Sequence, residues 1–399
     1  MSVTMLELIV NKNQDTENII LVENGKVVEN YLSKEEDKKL RLEGNIYIGE
    51  VSDVISGMQA AFVDFGAEKK GFIHLKDAIP QIDETKEKLD KDLNIKNILK
   101  PKQKLLIQIK KDSDNKKGAR VSTHISLPGK YLVLMPNTSF ITISQKIEDD
   151  KKRENLIKIF KEKLPQGFGA VIRTSAENTQ NEEIENDINT LLKKWENIQN
   201  AFKKAPDIPC LIWESENVVE KMITDLSTKK LEKIITNNEK EYNHLSKILK
   251  EQNSTIGLVL DKNKNLLEMY DIQKQLEKID SRKIWLDCGG FITIDHTEAL
   301  TAIDVNTGKF TGNKDLEATI FKVNKEATTE IAKQLRLRDI GGIIIIDYID
   351  MHISENKQKI QDMLIQELKQ DRAKTQVEGF TKLNLMELTR KHICSHLIK

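Results

Sequence analysis

The residues with the clearest capacity for chemistry are two aspartates, Asp304 and Asp347, that follow short apolar runs. Asp304 and Asn306 are two apart in the run 302–306, so their side chains share one face of an extended strand. Asp347 ends the β-branched run 343–346, which is typical of a strand buried on both faces. Two carboxylates brought together without a basic partner repel each other, and a hard, oxygen-seeking cation relieves that repulsion.

Such a cation has a specific chemical use. Mg²⁺ accepts one or two carboxylates, keeps several waters, contacts phosphate oxygens and lowers the pKa of a coordinated water. Asn306 would orient the water or the phosphate. Two weaker candidates are Glu298, which is expected to share the Asp304 face, and Asp350, which has the opposite strand parity to Asp347. Aspartate at the end of a strand is also ordinary capping chemistry. Capping is the favoured interpretation for either aspartate alone, and spacing leaves the two interpretations even for the pair with Asn306.

The elements around these residues are predicted to bring them together. A hairpin over 291–295 and 299–305 turns at His296-Thr297, and apolar positions from 316 to 335 mark one face of a long helix. Gly341-Gly342 is expected to end that helix. Strand, helix and strand with so long a crossover favour two parallel strands in one sheet. Asp304 and Asp347 would then lie near the same edge, where open α/β sheets bind ligands.

The rest of the chain is predicted to be a mixture of small sheets and helices. Residues 1–40 suggest antiparallel strands turning at Asn24-Gly25, and 41–124 suggest a small barrel. The predicted elements that follow are strands at 131–135, 169–173 and 255–260 and helices at 149–162, 182–204 and 218–225. The segment 218–283 is expected to complete the N-terminal sheet, which would make that domain discontinuous.

Bulk composition excludes several classes of protein. Lys+Arg and Asp+Glu are both 63 of 399 residues, so a nucleic-acid binder of this sequence must concentrate its positive charge locally. The three cysteines form no C-x-x-C pair, which argues against a disulfide framework and a self-contained zinc site. The sequence shows neither a signal peptide nor an apolar run that could span a bilayer. We therefore expect a cytoplasmic protein.

Five stretches of the chain resemble the ribonuclease E/G family. They occur in the family's order, and they are MQAAFVDFGAEKKGFIHL (58–75), SLPGKYLVLMPN (126–137), GAVIRTSAE (169–177), EALTAIDVNTGKFTG (298–312) and KQLRLRDIGGIIIIDYIDM (333–351). The resemblance implies a magnesium-dependent endoribonuclease, with Mn²⁺ as an alternative cation. Its expected substrate is single-stranded, A/U-rich RNA in rRNA precursors and mRNA, cut to leave 5′-phosphate and 3′-hydroxyl ends.

The same resemblance implies a multidomain α+β and α/β fold. Its parts are an RNase H-like subdomain (1–40 and 218–283), an OB-fold barrel (41–124), a 5′-phosphate sensor region (125–217) and a DNase I-like catalytic subdomain (284–399). It also implies that Asp304 and Asp347 bind the metal and that Asn306 is catalytic.

The expected RNA contacts lie in the barrel and the sensor region. Rings at Phe62, Phe65 and Phe72 can stack on bases, and basic residues accompany them, at Lys96, Lys100, Lys102, Lys104, Lys110, Lys111, Lys116, Lys117 and Arg120, against only Asp112 and Asp114. Phe62 or Phe65 can equally be barrel core. By resemblance, the base-contacting residues are Phe62, Phe72 and Lys117. The residues of the 5′-monophosphate pocket are, likewise by resemblance, Gly129, Val133, Arg173 and Thr174.

The chain departs from the family at its C-terminal end. Family members commonly carry a C-P-x-C pair that shares zinc between subunits, whereas here only Cys394 occurs before Lys399. We therefore expect no zinc link between subunits. In this respect the chain resembles the shorter, ribonuclease G-like branch of the family. A homodimer formed by other means remains open. Two other functions remain as alternatives. A non-catalytic single-stranded RNA-binding protein would bind RNA without cutting it, and a small-molecule phosphate-ester hydrolase would not bind RNA.

Overall fold

A computed structural model describes residues 5–34, 41–78, 94–113, 117–205, 208–226, 231–252, 254–262, 265–308 and 316–394. Asp114, Lys116 and Gly312 lie outside these ranges. The chain divides into two compact units, one made of 1–37 with 225–399 and the other of 38–224. Each unit mixes helices and sheets, so the predicted mixed α/β class is confirmed.

The strands are, in chain order, β1 (Leu6–Lys12), β2 (Thr16–Glu23), β3 (Lys26–Lys34), β4 (Ile46–Ile55), β5 (Ala60–Asp64), β6 (Gly71–His74), β7 (Lys104–Lys111), β8 (Arg120–Ser122), β9 (Leu127–Pro128), β10 (Leu132–Met135), β11 (Ile141–Ile143), β12 (Gly169–Ile172), β13 (Cys210–Trp213), β14 (Leu231–Thr236), β15 (Gly257–Leu260), β16 (Lys283–Trp285), β17 (Phe291–His296), β18 (Leu300–Asn306), β19 (Gly342–Asp347), β20 (Thr375–Phe380) and β21 (Leu385–Arg390). The α-helices are α1 (Leu75–Ala78), α2 (Ile95–Ile98), α3 (Asp150–Lys163), α4 (Asn181–Lys204), α5 (Val218–Leu226), α6 (Glu239–Glu251), α7 (Ile272–Ile279), α8 (Leu316–Leu337) and α9 (Ser354–Leu368).

The N-terminal strands form a five-stranded sheet in the order β15-β14-β1-β2-β3. The β2–β3 hairpin turns at Asn24 and Gly25, both with positive φ, as an Asn-Gly turn requires. Strand β14, more than 200 residues later in the chain, pairs with β1 in parallel, and β15 pairs in parallel with β14. The prediction that the 255–260 strand completes this sheet is therefore confirmed.

Strands β4, β5, β6, β8 and β7 close into a barrel, because β4 pairs with both β5 and β7. Alternate apolar side chains fill its interior, including Val51, Val63, Ile73 and Ile107. This closed five-stranded sheet has the form expected of an OB-like fold. A sixth strand, β13, pairs antiparallel with β4 and is not part of the closed barrel.

A second sheet of the same unit has the order β11-β12-β10-β9. Helices α3 and α4 pack on it through buried apolar residues such as Phe160, Ile184 and Trp195. The predicted helices over 149–162 and 182–204 correspond to α3 and α4 within two residues at each end.

The C-terminal sheet has the order β16-β17-β18-β19-β21-β20. Only β18 and β19 are parallel, and α8 crosses between them, as predicted. Helices α8 and α9 contribute to one continuous core with the inward side chains of these strands. The outward side chains, among them Asp304, Ile343 and Asp347, are exposed.

A buried ion network joins three parts of this C-terminal region. Arg390, at the end of β21, donates to Asp339 at 2.7 Å and to Asp371 at 2.8 Å, and all three side chains are at most 1% exposed. Asp339 also accepts the backbone N–H groups of Ile393 and Cys394. The expectation that Gly341-Gly342 ends the preceding helix is wrong in detail. That helix ends at Leu337, and Asp339 takes the left-handed conformation two residues later.

Candidate active site on the C-terminal sheet

The strand register places the two predicted metal ligands side by side. Asp304 on β18 and Asp347 on β19 are paired residues of the parallel ladder. Paired residues on adjacent strands project from the same face, and neighbouring strands are about 4.8 Å apart. The two carboxylates therefore occupy adjacent positions on the exposed face of the sheet, at the carboxyl ends of both strands.

Asn306 belongs to the same cluster. Its side-chain amide, Nδ2, donates to Oδ2 of Asp304 at 2.5 Å. The bond fixes the orientation of the Asp304 carboxylate and engages one of its two oxygens. The structure thus brings together Asp304, Asn306 and Asp347 in the arrangement expected from strand parity.

The electrostatics of the cluster favour a cation. Partial burial, followed by the negative charges of Asp304 and Asp350, raises the pKa of Asp347 above its usual range. A raised carboxyl pKa beside two other carboxylates means that negative charge accumulates there. In the described ranges, no three His, Cys, Asp or Glu side chains form a metal-binding group. Two carboxylates at adjacent ladder positions match the one or two that Mg²⁺ accepts while it retains several waters.

The two weaker acidic candidates have different positions. Asp350 lies after β19 and accepts from Asn384 Nδ2 at 3.4 Å, close enough for its charge to act on Asp347. Glu298 lies in the exposed turn between β17 and β18. The expectation that it shares the Asp304 face is wrong, because β18 begins only at Leu300 and Asp304 is near its other end.

Two of the three barrel phenylalanines form a partly exposed pair. Phe62 on β5 and Phe72 on β6 are direct cross-strand partners whose ring centroids are 5.9 Å apart. Phe65 is only 3% exposed and packs edge-on against Tyr47. The proposed stacking role of Phe65 is therefore wrong, and its interpretation as barrel core is correct.

The basic residues near this pair are partly engaged within the barrel. Lys117 is exposed and lies just before β8, the strand next to the Phe72 strand. Arg120 forms a two-pronged hydrogen bond to Asp77 at 3.0 and 2.8 Å. Lys110 donates to Gln108 at 2.8 Å. Arg120 and Lys110 are thus held by neighbouring side chains, so the basic stretch is less open than its sequence indicates.

Arg173 and Thr174 follow β12 in the second sheet of this unit. The Arg173 guanidinium donates from Nη1 to the Gly129 carbonyl at 2.7 Å. Thr174 and Ser144 share a hydroxyl–hydroxyl hydrogen bond of 3.0 Å. Val133 is partly buried on β10, which pairs with both β9 and β12. The four residues predicted for 5′-phosphate sensing therefore lie on adjacent segments of one small sheet.

The sequence pattern predicts no role for Asp187, an acidic residue of α4 that lies beside Gly129. Asp187 accepts the Tyr131 backbone N–H at 2.7 Å, and an added Cβ at Gly129 would lie 2.8 Å from its carboxylate. Burial raises the pKa of Asp187, while backbone N–H groups and the charge of Arg173 act in the opposite direction. Asp187 thus places a negative charge close enough to Arg173 for the two charges to interact. Its only signal in the sequence is a polar residue one position before the apolar stripe residue Ile188 of α4.

Sequence comparison identifies the relatives of this arrangement. The profile of the "Ribonuclease E/G family" matches residues 126–393. The chain belongs to the ribonuclease E/G family. It is 36% identical to Ribonuclease G of Salmonella typhimurium over 96% of this chain and 79% of that protein. It shares the same 36% identity with Ribonuclease G of Escherichia coli K12, again over 96% and 79%. With Ribonuclease E of E. coli K12 it shares 34% identity over 98% of this chain and 37% of that protein.

Membership of the ribonuclease E/G family confirms the predicted class of enzyme, an endoribonuclease acting on RNA phosphodiester bonds. The matched residues include Asp304, Asn306 and Asp347 as well as Arg173 and Thr174. No helix in the described part of the chain combines the length and the apolar character required of a transmembrane span.

Proposed function

We propose that this member of the ribonuclease E/G family cuts single-stranded RNA at the Asp304–Asp347 pair with the help of Mg²⁺. The observation that carries the proposal is the paired register of the two aspartates, with Asn306 bonded to one of them. Mn²⁺, which also favours oxygen ligands, is the expected substitute. A divalent cation bound there supplies charge stabilisation at the phosphate and lowers the pKa of water.

The roles of the protein groups follow from their positions. Asp304 and Asp347 hold the cation, and their adjacent strands fix the spacing of the two carboxylates. Asn306 keeps the Asp304 carboxylate in one orientation. In the net reaction, water adds to phosphorus and the bond to the 3′ oxygen breaks. The products are therefore a 5′-phosphate and a 3′-hydroxyl.

Chelation of the metal tests this proposal. A fluorogenic A/U-rich oligonucleotide is expected to be cleaved in Mg²⁺, to remain intact in excess EDTA, and to be cleaved again when Mg²⁺ or Mn²⁺ is restored. Cleavage products resolved on a gel beside chemically defined ends would report the end chemistry. Binding without cleavage under any metal condition would favour the non-catalytic RNA-binding alternative. Failure to bind the oligonucleotide at low salt would favour the small-molecule hydrolase.

The barrel is proposed to hold the RNA strand through Phe62, Phe72 and Lys117. Supporting this role, the two rings are paired and partly exposed, and Lys117 is exposed beside the next strand. A base stacked on aromatic rings gains about 1–3 kcal/mol whatever its identity. We propose that the enzyme consists of the OB-fold barrel, the RNase H-like and DNase I-like subdomains and the sensor region.

The sensor region is proposed to recognise a 5′-monophosphate through Arg173, Thr174 and the backbone of Gly129 and Val133. An arginine fork matches a terminal phosphate, which offers more charge and more acceptors than an internal one. Asp187 would keep Arg173 directed toward the phosphate.

We further propose that the enzyme acts in the cytoplasm on rRNA precursors and mRNA.

Substitution of the sensor arginine is expected to remove the advantage of monophosphorylated RNA. Hydrogen bonds to charged groups contribute about 1.5–3 kcal/mol, so Arg173→Ala should lower kcat/KM for the 5′-monophosphate substrate about 10- to 100-fold. Matched 5′-mono- and 5′-triphosphate RNAs would be compared in one assay, with the triphosphate substrate as internal control. Thr174→Val, which keeps the side-chain shape, should give a smaller loss in the same direction. An unchanged ratio between the two substrates in Arg173→Ala would contradict the assignment.

A further inference from the structure

An aromatic pair, the exposed Trp285 and the partly buried Phe291, lies on the same face of the C-terminal sheet as the acidic pair. The register pairs Trp285 of β16 with Phe291 of β17, and Phe291 with Asn306 of β18. Directly paired residues project from one face, so these three side chains form a row across the sheet. At about 4.8 Å per strand, Trp285 lies about 10 Å from Asn306.

The geometry of this pair leaves a ring surface open. The Trp285 and Phe291 centroids are 5.3 Å apart with an interplanar angle of 62°, and Trp285 is 56% exposed. Large aromatic side chains normally bury most of their surface. This exposure leaves much of the Trp285 ring accessible to a ligand beside the acidic cluster.

A cation accompanies the rings. Nζ of Lys283 lies 4.1 Å from the Trp285 centroid and 3.6 Å from the Phe291 centroid. Lys283 is paired with Thr293, and Thr293 with Asp304, so the lysine lies in the row of the metal-binding pair. An aromatic surface with a positive charge is the combination that binds a base together with its phosphate.

Packing of the Trp285 and Phe291 rings against the adjacent turn explains only part of their placement. Gly308, with φ of +60°, follows Asn306 closely, and a Cβ there would lie 3.2 Å from Phe291 Cδ1 and 3.4 Å from Trp285 Cζ3. The two rings thus form one wall of the turn. That contact uses one edge of the Trp285 ring and does not account for the exposure of the rest.

We propose that Trp285 and Lys283 form a nucleotide subsite next to the cleavage site. One base stacks on the Trp285 ring, and the Lys283 ammonium group binds a phosphate between that nucleotide and the Asp304–Asp347 pair. The inference rests on the proposed function, because a strand whose phosphate reaches the acidic pair must cross this face of the sheet. Stacking tolerates every base, so the subsite positions the strand without selecting its sequence.

Trp285→Leu is the decisive variant, because leucine retains apolar contact with Gly308 and removes the planar ring. We expect KM for a short single-stranded RNA to rise about tenfold with kcat within about twofold, as expected for loss of one stacked base. The dissociation constant, measured by fluorescence anisotropy in EDTA, should rise equally. Ile343→Ala is the matched control, since Ile343 is 51% exposed on the same face and lies about 13 Å along β19 from Asp347.

Two further measurements separate a subsite from a structural role. Lys283→Met should reduce the slope of log affinity against log salt concentration by about 0.7, the loss of one phosphate contact on a single strand. RNAs that carry a single abasic nucleotide at successive positions around the cut provide the second measurement. At one position the abasic nucleotide should raise KM of the wild type about tenfold and leave KM of Trp285→Leu unchanged.

Unchanged KM and affinity in Trp285→Leu, or abasic effects that simply add to that substitution, would overturn the subsite. If the wild type still cuts RNA in Mg²⁺ and stops in EDTA, the proposed function would stand without it. If the wild type does not cut RNA under any metal condition, both proposals fail.

Discussion

Replacing Asp347 by asparagine is expected to lower kcat for RNA cleavage about a thousandfold. Asparagine keeps the shape of the side chain and removes the charge that holds the cation. A metal ion contributes several kcal/mol of transition-state stabilisation, and each 1.36 kcal/mol corresponds to a factor of ten in rate. Asp304→Asn should have an effect of the same order, because its carboxylate is the adjacent position of the same ladder.

The double variant and a neighbouring carboxylate supply the controls. Since both aspartates are proposed to bind one ion, the double substitution should lower kcat little more than either single substitution. Asp350→Asn removes a charge that acts on Asp347 but leaves the pair intact, so we expect a change within about tenfold, as for residues that only support the ligands. Initial rates under single-turnover conditions, with RNA affinity measured in parallel, would check this. Cleavage by Asp347→Asn at more than a tenth of the wild-type rate would rule out the pair as the metal site.

Replacement of Arg390 by methionine is expected to lower the free energy of unfolding by about 3–5 kcal/mol, because it leaves two buried carboxylates without their partner. The side chains of Asp339 and Asp371 are at most 1% exposed. Water cannot solvate them without opening the end of β21. The effect is large because it comes from an uncompensated buried charge and not from a lost surface contact.

Arg282→Met is the matched control for Arg390→Met. Arg282 also binds a carboxylate with two prongs, to Asp295 at 2.5 and 2.7 Å, but its side chain is 71% exposed. An exposed pair of this kind contributes little to stability, because water screens both charges. Hydrogen exchange of the β19 and β21 amides would report the local free energy of opening for both variants. Equal protection in the two variants would show that the buried network does not stabilise the sheet.

Several parts of the fold and site follow from local sequence. The Asn24-Gly25 turn, the β17–β18 hairpin and the parallel pair across α8 each have a local pattern with one preferred geometry. The common face of Asp304 and Asn306 follows from strand parity alone. The expectations for Glu298 and Phe65 were wrong because of local features of β18 and β5. The start of β18 excludes Glu298 from the Asp304 face, and Phe65 lies one residue beyond the end of β5.

Other parts depend on pairing between distant segments, which spacing does not reveal. The register that pairs Asp304 with Asp347 is fixed by the whole ladder and by packing of α8 beneath it. Arg390 meets Asp339 from 51 positions away, and Arg173 meets Gly129 from 44 positions away. The row of Trp285, Phe291 and Asn306 likewise appears only when three strands are aligned.

The parallel pairing of β18 and β19 also bears on the choice of metal ion. Backbone hydrogen bonds between the strands fix the distance between the Cα atoms of Asp304 and Asp347. Only the side-chain torsions of the two aspartates can therefore adapt to an ion of another radius. A small octahedral ion with short bonds and several waters needs little adaptation, whereas Ca²⁺ prefers six to eight oxygens at longer range. At the proposed metal site, the fixed spacing of the ladder would therefore favour a small divalent cation over Ca²⁺ before any RNA is bound.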